Sequence, residues 1–142
     1  MSTPTYDPAR WTVSLGGRLL TGFVAETWIN IKPNSPAFTY HPGARGKGAR
    51  ARNRDTSVQI TLTLLQTSDD NDVLQAMYDL DQLLGTGIKE LVVKELDGPT
   101  QFVGEVWVRE PPPLERGVEI GGNPWVLECA EPSVYKIGGI TQ

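Results

Sequence analysis

The sequence predicts a mainly β protein with one α-helix, and three observations carry that prediction. Gly 15 and Pro 11 are a large share of the 142 residues and follow no collagen-like period, which means many turns. Most apolar runs are short and alternate with polar residues, the period of half-buried strands. Only one stretch, opening at Ser68, repeats its apolar residues at helical spacing. The length suits a single domain over residues 1–142, able to bury a core without disulfides or metal.

Trp11–Leu15 alternates and meets Gly16-Gly17, then Arg18–Thr21. Two short runs around Gly-Gly read as a β-hairpin, because both turn positions need positive φ. Gly22 marks a bend. Glu26–Lys32 alternates again, with Trp28 facing away from Ile29 and Ile31, and Pro33 ends the run by lacking an N–H. Residues 33–55 then read as a long extended loop, because prolines and glycines break any period. At most a short strand at Ala37–Tyr40 is expected there.

Ser57–Leu65 is the cleanest strand. Val58, Ile60, Leu62 and Leu64 fall on one face, and Gln59, Thr61 and Thr63 on the other. Ser68 is the expected N-cap of a helix over about 69–84, with Asp69, Asp70 and Asp72 at the positive end of its dipole. Val73, Met77, Leu80 and Leu84 are its predicted core face, and Gly85 its C-terminal stop. Ile88–Leu96 and Gln101–Glu110 form a strand pair around Asp97-Gly98. Pro111-Pro112-Pro113 imposes an extended segment. Gly117–Ala130 is the last strand, open to interruption near Gly121–Pro124, and Ser133–Gln142 is expected to be loose.

Little in the sequence supports enzymatic chemistry, and no catalytic, cofactor or metal residue is predicted. His41 stands alone beside Pro42, and Cys129 lies in an apolar strand, where a small buried hydrophobe is expected. A single cysteine closes no intrachain disulfide, and no zinc set exists. Asp69–Asp72 resembles a calcium loop until Gln75 and Asp81 occupy the places that need Gly and Glu. Gly43–Gly48 is followed by Ala49 where a phosphate loop needs Lys. No apolar run reaches the roughly 18–20 residues of a membrane span, so no membrane insertion is expected. The start, Met1–Pro8, has no signal-peptide pattern, which predicts synthesis and assembly in a cytoplasm.

The charge is divided. Residues 1–68 hold eight basic and three acidic residues, whereas 69–131 hold four basic and fourteen acidic. Arg45, Lys47, Arg50, Arg52 and Arg54 concentrate the positive charge. That loop reads either as a nucleic-acid patch or as a protein-contact arm. It has few interleaved aromatics and the chain is acidic overall, which favours self-association of unlike faces, leading to rings or filaments.

The sequence also resembles a known family. Tyr6-Asp7-Pro8, the Gly16-Gly17 hairpin, Thr21-Gly22-Phe23, Arg52–Ser57 running into Ile60–Ser68, Asn71–Leu74, Pro111-Pro112-Pro113 and Trp125–Ala130 are similar to the inner tail tube protein of contractile-tailed bacteriophages. The likeness covers roughly residues 6–138 and is most specific from Asn53 to Leu74. It implies a β-sandwich or partly closed barrel flanked by one helix. It further implies a structural subunit whose six copies form a ring, with rings stacked into a hollow tube inside a contractile sheath. The implied partners are other copies, the sheath protein, the tape-measure protein, baseplate and neck proteins, and DNA passing without specific binding. The implied location is the virion tail, assembled in the bacterial cytoplasm. A tube initiator or terminator, or a secretion-type tube subunit, would share the fold.

With that frame, Arg45, Lys47, Arg50, Arg52 and Arg54 are candidates for contact between rings. Asp72 and Asp79 are candidates for a sheath or subunit contact, and Gln59, Thr61 and Thr63 for the lumen face. An acidic chain suits a channel through which DNA slides.

Overall fold

The computed structural model describes Thr3 and residues 5–139. The expectation about the chain start rests partly on Met1, Ser2 and Pro4, and that about the tail partly on 140–142; these lie outside the described residues.

The alternation at 57–65 becomes strand β6, Val58–Leu65, whose side chains are alternately buried and half-buried along its whole length. Around it run β1 Trp11–Leu15, β2 Arg18–Leu19, β3 Ile29–Pro33, β4 Phe38–Pro42 and β5 Gly48–Arg52 before it, then α1 Asp70–Leu84, β7 Lys89–Glu95, β8 Gln101–Glu110, β9 Gly122–Cys129 and β10 Val134–Lys136. Gly16 and Gly17 have φ of 59° and 85°, so the β1–β2 hairpin turns as its Gly-Gly pair predicts.

The main sheet is ordered β2-β1-β7-β8-β9-β6-β3, and its named pairings are antiparallel. β8 is the shared strand. Its residues 101–106 pair with β7, and its end, from Trp107, pairs with β9 past an irregularity between Val108 and Glu110. The two halves fold over a common core. Trp28, just before β3, meets Trp11 of β1 edge-on at 6.0 Å, and the Tyr135 hydroxyl on β10 donates to the Ile31 carbonyl on β3 at 3.1 Å. The result is a β-sandwich with one helix; β2 and β3 end the strand order unpaired with each other, so it is not a closed barrel. Ile60, Leu62, Leu64, Leu74, Met77, Leu91, Val106, Leu127 and Cys129 are fully buried between the layers. Cys129 is thus the small buried hydrophobe expected, and burial pushes its thiol pKa up.

The helix departs from its predicted packing. Leu74 and Met77 are buried together with Asp70, while Leu80 and Leu84 are exposed. The inward line of α1 runs through 70, 74, 77 and 81, and its two acids are satisfied by backbone donors. Asp70 accepts from the Thr21 and Gly22 N–H groups, both at 2.9 Å, with Arg18 at 3.5 Å. Asp81 accepts from the Gly87 N–H at 3.2 Å. An acid with a backbone partner can occupy a buried position, so the apolar pattern alone misplaced the face. Asp69 rather than Ser68 takes the N-cap position and the helix begins at Asp70, yet the Ser68 hydroxyl still accepts from the Asp70 N–H at 3.1 Å. Gly85 closes the helix with φ of 69°.

Three loop expectations are corrected. Residues 33–55 contain an ordered hairpin, β4 paired with β5, not a continuous loop. The last long strand starts at Gly122 rather than Gly117. Before it, 111–121 crosses the surface without strand pairing, held where the Gln66 amide donates to the Glu115 carbonyl at 2.8 Å and accepts from the Gly121 N–H at 3.2 Å. The tail is also less loose than expected, because Val134–Lys136 pairs with the start of β8.

Candidate assembly interface

Every residue of both strands of the β4–β5 hairpin is exposed. It has the strand period, but in different chemistry from the core. Phe38 pairs with Arg52 and Tyr40 with Arg50, so aromatic and guanidinium groups share one face. Arg50 lies over the Phe38 ring at 4.1 Å and Arg52 at 5.5 Å. Thr39, His41, Ala49 and Ala51 form the other face. Arg45 and Lys47 sit in the turn, and Arg54 follows β5. All five predicted basic residues are therefore brought onto one projecting, exposed arm.

The root of this arm is tied to the sandwich. The Asn34 N–H donates to the Ser57 carbonyl at 3.0 Å, and the Asn34 side chain donates to the Ser57 hydroxyl at 2.8 Å and to Glu128 at 3.1 Å. Asp55 accepts from the Ser57 N–H at 3.0 Å and the Ser35 hydroxyl at 3.2 Å. The Ser57 bonds, with Ser35 after them, hold the Asp55 carboxyl below its ordinary pKa.

A second surface lies on α1. Asp72 and Asp79 are exposed, and the Gln75 amide donates to Asp79 at 3.0 Å. Beside them stand Leu80, Leu83 at 79% exposure, and Leu84 at 66%. The sequence placed Leu80 and Leu84 in the core, so this apolar strip on an acidic helix went unread.

The polar face of β6 keeps Gln59, Thr61 and Thr63 half-buried and turned away from the core. Gln59 accepts from Arg109 of β8 at 3.1 Å.

The structure adds a residue that the sequence did not single out for a role. The Asn71 carbonyl oxygen accepts from the Trp125 indole at 2.9 Å and the Asn123 amide at 3.1 Å. Its own amide donates to the Leu65 and Ser68 carbonyls at 2.8 and 2.9 Å. All its side-chain hydrogen-bonding groups are used to lock the helix start to β9. A half-buried asparagine of this kind leaves no periodic signal. Among the described residues no group of His, Cys, Asp and Glu could hold a metal ion, and no helix is long and apolar enough to cross a membrane.

No family model matches the chain. Structural protein ORF10 of Pseudomonas phage KPP10 is 25% identical over 146 residues, covering 96% of this chain and 84% of that protein. In structure, the tube-terminating cap of the anti-feeding prophage matches with a TM-score of 0.59 at 12% identity, over 94% of this chain and 92% of that one. The sheath/tube terminator of the extracellular contractile injection system PVC, in its extended state, matches at 0.61 with 13% identity, over 93% and 97%. A chain of the native gene transfer agent virion matches at 0.55 with 11% identity, over 96% and 98%.

The fold is therefore the one seen in the contractile-injection-system tube terminators, and the sequence is similar to that of a phage structural protein. The chain is a homologue of a phage structural protein.

Proposed function

We propose that this chain is a ring-forming structural subunit at the end of a contractile-type tail tube, a terminator rather than the repeating tube subunit. The observation that carries this reading is the likeness, over more than nine-tenths of each chain, to two proteins that end a tube: the anti-feeding prophage cap and the PVC terminator. The exposed basic hairpin supports it as the arm that reaches a neighbouring subunit, since a two-stranded hairpin alone is marginal in water. The role is structural and not enzymatic, and its place is the virion tail. Its partners are further copies of itself and the tail proteins that adjoin a tube end: tube, sheath and neck components.

A second reading is the repeating tube subunit, with hexameric rings stacked inside a sheath around the tape-measure protein and the genome. The polar, half-buried face of Gln59, Thr61 and Thr63 favours it, because such a face suits a wet channel wall backed by core.

Negative-stain microscopy of the purified chain distinguishes the two. Single rings that never elongate are the expected result. Long hollow tubes overturn the terminator reading in favour of the tube subunit. Monomers that shift DNA in a salt-dependent manner overturn both and return the hairpin to nucleic-acid binding.

A further inference from the structure

We infer that the β4–β5 hairpin of one copy docks on the acidic leucine face of α1 in a neighbouring copy. This inference rests on the ring-forming reading above and names the surface that the arm meets.

The two surfaces are each incomplete. On α1, residues 72, 79, 80 and 83 fall on one face by helical spacing, so Asp72 and Asp79 border Leu80 and Leu83. Leu83 and Leu84 are the most exposed leucines of the helix, and Ile88 just beyond it is 52% exposed. An apolar strip of this kind on a surface helix marks a contact site. On the hairpin, Phe38, Tyr40, Arg50 and Arg52 share one face, with Tyr40 at 64% exposure. The first surface offers leucines bordered by carboxylates, and the second offers aromatic rings bordered by guanidinium groups. They are complementary in both charge and apolar character.

Within the same chain, Leu114 and Arg116 line a groove with Asp72 and Gln75 at the start of α1, which leaves Asp79, Leu80 and Leu83 further along the helix for another copy.

Both surfaces are exposed in the folded chain, so neither is covered by the other within one copy. Unlike surfaces on one subunit join head to tail, and such heterologous contacts close into rings or continue as filaments.

The test uses the full chain. Cys129 is fully buried, so single-cysteine sites placed elsewhere report alone. Tyr40→Cys and Leu83→Cys chains are mixed and oxidised; covalent dimers that need both variants are expected. In parallel, Arg50→Glu with Arg52→Glu, and Asp72→Lys with Asp79→Lys, are each expected to lose rings by microscopy while keeping the wild-type melting transition. Mixing the two charge-reversed chains is expected to recover rings, because each supplies the other's complement. Rings in the wild type without a Tyr40–Leu83 cross-link and without recovery on mixing overturn this inference and leave the ring reading standing. Loss of cross-linking to α1 when a sheath protein is added assigns the helix face to the sheath and also overturns it. A wild type that stays monomeric at every concentration removes the ring reading and this contact together.

Discussion

β6 and the β4–β5 hairpin are both regular antiparallel strand structure, yet they stand in opposite relations to the core. Every second residue of β6 is buried, whereas the hairpin buries none. Both have period two. In β6 the alternation is aliphatic against Gln and Thr; in the hairpin it is aromatic and Arg against Ala, Thr and His. The comparison teaches that strand period and burial are separable. A strand pair can be specified by cross-strand side-chain pairs and a glycine-containing turn, with its own apolar content left exposed.

The largest expected effect therefore lies in β6. Leu62 is fully buried and pairs with Trp125 of β9 on one side and Ile29 of β3 on the other. Leu62→Ala is expected to cost about 2–5 kcal/mol in denaturant unfolding. Tyr40→Ala in the hairpin is expected to change stability by less than about 0.5 kcal/mol, as surface substitutions do. Comparable losses at the two sites would break the contrast and place the hairpin in the cooperative core.

An intermediate effect belongs to the helix start. Asn71→Ala leaves the buried Trp125 indole and Asn123 amide without this partner. About 1–3 kcal/mol is expected, the cost of an orphaned buried polar group. Asp72→Ala, one residue on and exposed, is expected to leave stability within about 0.5 kcal/mol of wild type. The pair sharpens the comparison by setting a half-buried polar tie to buried partners against an exposed residue on the same turn. Differential scanning calorimetry of both variants checks it; equal melting shifts would remove Asn71 from its place as the tie.

Much of the fold was legible because alternation and turn chemistry act locally. Gly16-Gly17, Val58–Leu64, Gly85 and the 125–129 strand each announce themselves within a few residues. What escaped required a distant partner. Leu80 and Leu84 look like core until Asp70 is seen to take a buried place, and Asp70 can do so only because Thr21 and Gly22 present N–H groups from elsewhere in the chain. A short strand at Ala37–Tyr40 was legible, but its partner β5 was hidden because its alternating residues are Arg and Ala rather than Val and Leu. The basic residues of the candidate site were visible as charge, but the face they share with Phe38 and Tyr40 needed the register. Asn71 had no pattern at all, since its four bonds go to residues whose nearness the fold creates.

The smallest expected effect concerns the joint between the two regions. Asp55 stands where the hairpin meets β6, accepting from the Ser57 N–H and the Ser35 hydroxyl. Those bonds favour the carboxylate and lower its pKa in the folded chain. The sign follows from linkage. A depressed folded value means that the bonds stabilise the joint at neutral pH, above the unfolded value near 4. That contribution fades as pH falls through the folded value. Because Asp55 is exposed, the consequence is local order and not global stability. Acidification is therefore expected to speed amide exchange at the hairpin root, once corrected for intrinsic rates, before the amides of β6 respond. Asp55→Asn is expected to remove most of that pH dependence, since the amide no longer titrates, while Leu62 and its neighbours keep their protection. A hairpin root equally protected across this acid range in wild type and variant would show that Ser35, Asn34 and Ser57 hold the arm without Asp55, and that the joint is set by the backbone bond from Asn34 to Ser57.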